Sequence, residues 1–263
     1  MRRRFSTFGG WSRDPYAADL GPIGRPRRRW LTRLVVGIVV CAVAVLGIVV
    51  ATHRSSGDAA ADVPLPTPQP RPSAPAVVPG WVAVTDSGAS IAYDVPADWK
   101  VSYVGDGQTL SNGRWSLVMT MMSSYLDGYC ESNLTSFRAQ AGAATVPDAN
   151  GTTAATDTAR QVATALYGPV DSGAGAPPTV TIGRPTAASD HGLTGTLVTA
   201  RVTVNKPDRC EPPTALVDVF ALPNPAKHES LVVVAYADQQ FTGAVKPQDL
   251  DTIVTSFRRL PTK

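Results

Sequence analysis

The chain has 263 residues, a formal net charge of +3 and a pI near 8.8, with 43% hydrophobic residues and three cysteines. The net charge joins two opposite populations: residues 1–54 hold ten arginines against Asp14 and Asp19, whereas residues 80–263 hold thirteen Lys/Arg against seventeen Asp/Glu. The folded part is therefore mildly acidic, which argues against a nucleic-acid role inferred from the pI.

In chain order, residues 1–33 lack helical or strand period and are rich in Gly, Pro and Arg. They read as a disordered, Arg-rich cytoplasmic tail on the inner membrane face, where arginines are drawn to anionic lipid. Residues 34–52, between Arg33 and His53, carry no charge. At about 1.5 Å per residue a helix of this length spans roughly 28 Å, close to the hydrocarbon thickness of a bilayer. A single transmembrane helix is expected, oriented by the arginines on its N-terminal flank, with the N-terminus inside and the rest of the chain extracytoplasmic. A cleavable signal peptide is the rival reading, with small residues near Ala61, but the apolar core and the lead before it exceed the usual pattern. Cys41 stands in mid-span, without a lipobox.

Residues 53–79 are rich in Pro and Ala, and read as an extended, semi-rigid extracytoplasmic linker. Residues 80–263 are long enough to build one domain with its own core. Period-two alternation predicts strands in "SIAYDVP", "WSLVMTMMS", "LTGTLVTARVTV", "TALVDVFAL" and "SLVVVAYAD", the last suited to a central position. Three helices are expected. "ESNLTSFRAQAG" (131–142) puts Leu134, Phe137 and Ala141 on one stripe. "DTARQVATALYG" (157–168) places Ala159, Val162, Ala163 and Leu166 on another. "KPQDLDTIVTSFRRL" (246–260) opens at Pro247 and closes on Arg258 and Arg259, in agreement with the helix dipole. The order is strands, two helices, a run of strands and a last helix. This predicts an α+β fold, an antiparallel sheet flanked by helices as an α/β sandwich.

A strand ending in "YDVP", resuming at Trp99, and followed by an antiparallel sheet and a terminal "LDTIVTSF" helix resembles the PsbP-like sandwich, which includes mycobacterial LpqN-type lipoproteins. More locally, "YDVPADWKV", "GYC", "DTAR", "CEPPTALVDVFALP" and "VVVAYADQ" together resemble an uncharacterised family of actinobacterial membrane-anchored extracytoplasmic domains. The resemblance covers about residues 80–260 and carries over no catalytic residues. Nineteen arginines against five lysines fit a GC-rich actinobacterial source.

Cys130 and Cys210 are the two cysteines outside the expected membrane span, both in loop-like contexts on the oxidising side. A disulfide fits these facts; two free thiols or a metal pair are the alternatives, and no histidine stands beside them at ligand spacing. The chain has no G-x-S-x-G, H-E-x-x-H or phosphate-loop motif. His191 and His228 lie in expected turns, and a nucleophile triad would have to join one of them to Ser189 or Ser230 and an Asp. Asp249 and Asp251 stand two apart on the last helix, where they read as first-turn stabilisers. Asn133-Leu134-Thr135 matches the N-glycosylation pattern, read here as coincidence in a helix. Met119, Met121, Met122 and Tyr125 form the candidate ligand groove, with core packing as the plainer role, since alternation sends Met119 and Met121 to one face.

The function expected from these features is a single-pass, membrane-anchored extracytoplasmic binding or scaffolding module of the cell envelope. Its partner would be an envelope protein, lipid or glycan, with no catalysis, no cofactor, no metal and no nucleic acid. The alternatives are an envelope hydrolase using His191 or His228, and a membrane sensor signalling through the cytoplasmic tail.

Overall fold

The stretch "YDVPADWKV" shows how the domain is assembled, because it passes from one sheet to another. In the computed structural model, which describes residues 68–88, 90–169 and 176–261, β1 (Trp81–Thr85) and β2 (Ile91–Pro96) form an antiparallel hairpin. Pro96 ends β2, and the Trp99 amide donates to the Pro96 carbonyl at 3.0 Å to close the turn. The chain then enters β3 (Lys100–Val101), which pairs with a strand of a second, larger sheet. Proline lacks the amide that a ladder needs, so it marks the exit from the first sheet.

The larger sheet runs through β4 (Gln108–Ser111), β5 (Ser116–Tyr125), β6 (Ala139–Val146), β7 (Thr179–Ile182), β8 (Thr186–Asp190), β9 (Leu193–Thr203), β10 (Thr214–Asn224) and β11 (Glu229–Gln239). Its spatial order is β3-β5-β6-β11-β10-β9-β7, with β4 also on β5 and β8 on β9, and every pairing is antiparallel. Two helices complete the domain: α1 (Gly151–Tyr167) and α2 (Pro247–Thr255). The two-residue β12 (Arg258–Arg259) adds to β2. The fold is thus α+β and sheet-dominated.

Both faces of the large sheet are buried, which explains the nearly unbroken apolar runs of β10 and β11. Val217, Val219, Val232 and Val234 meet Ala155, Ala159, Val162 and Ala163 of α1. Leu216, Phe220, Val233 and Ala235 meet Leu250, Ile253, Val254 and Phe257, together with Val84, Tyr93 and Val95 of the hairpin. The Asn150 side chain caps α1 by accepting from the amides of Thr152 and Thr153, so the helix begins six residues before the expected Asp157.

Two expectations are corrected. The segment 131–142 is not a helix: residues 130–138 form turns, and Ala139–Val146 is β6, between β5 and β11. Its small residues are imposed by packing, since a Cβ on Gly142 would come within 2.7 Å of Met122 Sδ and 2.9 Å of both Met119 Cε and Thr120 O. The order is therefore six strands, one helix, five strands, a second helix and β12. The last helix, moreover, stops at Thr255. Arg258 does not complement its dipole but lies in β12, almost wholly buried, bonded to Asp94 at 2.8 Å.

Residues 68–79, within the segment read as linker, lie against the domain. Gln69 pairs with Val104, and the Arg71 guanidinium donates to the carbonyls of Ser102 and Thr85, both at 2.9 Å. The amides of Val77 and Val78 donate to Asp94 Oδ2, and Arg258 donates to the Pro75 carbonyl at 2.7 Å. The tail 1–33, the apolar stretch 34–52 and the first part of the linker lie outside the described residues. Among the described residues no helix is long and apolar enough to cross a membrane.

Candidate functional site

Strand alternation in β10 sends Leu216, Asp218 and Phe220 to the α2 face of the sheet, where Leu216 and Phe220 join the core. Asp218 is the exception in chemistry, a carboxylate only 1% exposed. The register sets Thr199 of β9 directly beside it and Arg201 beside Leu216, with Thr181 of β7 next to Arg201. From above, the first turns of α2 contribute Pro247 and Asp251. These residues, with Arg184 and Thr186 from the β7–β8 region, line a cavity of about 390 Å³.

The electrostatics are unusual. Burial pushes Asp218 well above the usual carboxylate range, to about 7. A hydrogen bond from Thr199 and the charge of Arg201 oppose the shift, while the nearby Asp251 carboxyl adds to it. Two carboxyls in contact cannot both ionise cheaply. Asp218 Oδ1 has no hydrogen-bond partner, although a buried polar atom left unpaired costs about 1–3 kcal/mol. Arg184 and Arg201 form no ion pair among the described residues. Two acids and two cations thus face one cavity without neutralising each other fully.

The raised carboxyl has a testable sign. A folded-state value above the unfolded one means that the native state holds the proton more tightly, so this contribution to stability is present below about pH 4 and is lost as pH rises towards about 7. Asp218→Asn should therefore stabilise the protein at pH 7 by about 2 kcal/mol, raising Tm by roughly 5 °C. The gain should shrink at pH 4, as thermal unfolding at the two pH values would reveal. An equal or reversed effect would show that the carboxylate is satisfied.

The residues singled out from sequence are dispersed. Met119 and Met122 pack in the α1-side core, and Met121 in the α2-side core. The expectation that Met119 and Met121 share a face fails because β5 changes register between Thr120 and Ser123, with Met121 at φ 54°. Such a bulge resets alternation, and here the Tyr93 hydroxyl fills it, bonding to the Met121 carbonyl and lying 3.1 Å from Ser123 Oγ. Tyr125 stacks on Trp99 with centroids 6.1 Å apart. Met122 lines a cavity together with Lys100, Ser124 and Gln140.

Cys130 and Cys210 form a disulfide, with Cα atoms 5.4 Å apart. Beside it the Tyr129 hydroxyl donates to the Cys210 carbonyl, and Arg138 lies 3.7 Å over the Tyr129 ring while pairing with Asp238 at 3.0 Å. His191 and His228 occupy left-handed turn positions. His191 Nε2 is 3.5 Å from Asp190 Oδ1, but Ser189 bonds to Thr194, and the buried Ser230 donates to the Asp148 carbonyl. No serine–histidine hydrogen bond is present among the described residues. Asn133 lies in an exposed turn, where its Oδ1 accepts from the Thr135 hydroxyl at 2.8 Å. Asp251, read as a first-turn stabiliser, also lines the cavity over Asp218. The aspartate inside "TALVDVFAL" was the one available signal, a charge at a buried strand position; nothing in sequence ties it to a helix 33 residues later.

Residues 74–262 match the family model described as "Domain of unknown function (DUF8017)". No curated protein matches the chain.

Proposed function

The chain belongs to the DUF8017 family, and from that premise we propose that it is a single-pass, membrane-anchored extracytoplasmic binding or scaffolding module of the cell envelope, without catalytic activity. The observation that carries this reading is the Cys130–Cys210 disulfide, which joins segments 80 residues apart. Disulfides persist on the oxidising side of a membrane and are rare in the cytosol. The uncharged stretch 34–52, flanked by arginines, supplies the anchor that would hold the domain there. The large sheet, with a helix on either face, is compatible with a PsbP-like sandwich, and the arginine-rich composition with an actinobacterial source.

The test has two arms. Protease added to intact spheroplasts should digest the folded domain and spare the tail; protection of the domain would sink the topology. The oxidised unit from residue 66 onward, immobilised, should retain a specific envelope protein, lipid or glycan that a reduced and alkylated control does not. Equal retention by the two samples would remove the support for a folded binding surface.

A further inference from the structure

The cavity over Asp218 has the features of a built site rather than a packing defect. Its floor holds a carboxylate oxygen that is buried and unpartnered. Further polar lining comes from Thr199 and Arg201 of β9, Asp251 of α2 and Arg184 of the β7–β8 loop. A void left by imperfect packing is expected to be apolar and dry, and this one is lined by charge of both signs. At about 390 Å³ it falls in the lower part of the range for small-molecule pockets.

The charges restrict the ligand. Asp218 and Asp251 line the same cavity, so a ligand there meets both carboxyl acceptors and carboxylate charge. A ligand hydroxyl would satisfy Oδ1 but leave that charge uncompensated; an ammonium group does both. Arg184 and Arg201, exposed at the cavity rim and without acidic partners among the described residues, offer guanidinium groups to an anion, and a carboxylate matches their fork. Leu216 and Pro247 supply apolar wall between the two ends.

We propose that the cavity between β9, β10 and the start of α2 binds a small zwitterion of the amino-acid or short-peptide class, its ammonium group on Asp218 and Asp251 and its carboxylate on Arg184 and Arg201. This deepens the binding-module reading and rests on it. Asp218 is a recognition group in this scheme, kept despite its cost to stability, as polar groups at binding sites are.

The full chain in detergent is titrated calorimetrically with tri-L-alanine. Saturable binding is expected, and it should weaken at least about tenfold with N-acetyl-tri-L-alanine, with tri-L-alanine amide, and in Asp218→Asn and Arg201→Gln. The blocked peptides test each end of the ligand without altering the protein, so the result does not depend on either variant folding. Absence of saturation below about 10 mM, or equal binding of the blocked peptides, overturns the proposal. Tighter binding of glucuronate than of tri-L-alanine overturns the ammonium assignment, because it places hydroxyls on the acid pair. An envelope component captured equally by wild type and Asp218→Asn would leave the binding-module reading standing and move its site elsewhere.

Discussion

Arg258→Ala is expected to lower the unfolding free energy by about 3–5 kcal/mol, the range for removing one partner of a buried ion pair. Arg258 and Asp94 are 6% and 0% exposed at the side chain and 2.8 Å apart. The loss is large because nothing nearby can take over. Asp94 Oδ1 would face the interior with its charge, while Oδ2 stays committed to the amides of Val77 and Val78. Arg258 also donates to the carbonyls of Ser256 and Pro75, so its removal takes one anchor from the strap formed by residues 68–79 and loosens the Asp94 carboxylate that holds its Val77 and Val78 amides. Denaturant unfolding measures the total, and amide exchange at Val77 and Val78 reports the strap. A variant that lost stability with those amides still protected would show that the strap is held by Arg71 and Thr85 instead. A polypeptide starting at residue 80, where the sequence suggests a boundary, should be less stable than one starting at 66, since it lacks the partners of Asp94 Oδ2.

Replacing both cysteines by alanine should cost about 4 kcal/mol, with Tm falling by roughly 10 °C. The chain-entropy argument gives this size because the bridge closes a sequence separation of 80. The local damage should be confined to one end of the domain. Residues 128–136 are folded on themselves by bonds from the amides of Gly128 and Cys130 to Ser136, and the disulfide ties that knot to the turn at Asp208–Glu211. Hydrogen exchange through local opening should rise in both segments, whereas β10 and β11, which open only with the whole domain, should change only in step with the lost global stability. Equal unfolding midpoints for the oxidised protein and the double variant would refute a stabilising role.

The strands that alternate clearly, β2, β5, β9, β10 and β11, were legible because one or both of their faces meet a core. The α1 helix was legible through its alanine and valine stripe. β6 was not, since "AQAGAATV" carries alanines of high helix propensity, and what makes it a strand is its pairing between β5 and β11, where Gly142 lies against Met119 and Met122. That is a tertiary effect, invisible to a local pattern. The same limit hid the candidate site. Asp218 stood unremarked inside a predicted strand and Asp251 read as a first-turn stabiliser, and only the packing of α2 on β10 brings them to one cavity. The groove proposed from Met119, Met121, Met122 and Tyr125 was lost to a single bulge at Met121, which splits the methionines between two cores.

The strap gives the domain a mechanical property. Tension arriving from the N-terminal side meets the Gln69–Val104 pair first, then Arg71, then Pro72 bonded by Thr85, and last the Pro75–Val78 stretch held by Arg258 and Asp94. Each is a separate stop, and none belongs to the large sheet's own ladder. Releasing all twelve residues would free about 40 Å of chain, at the extended-chain limit of about 3.4 Å per residue. The strap could therefore yield to load stepwise while the core stays intact.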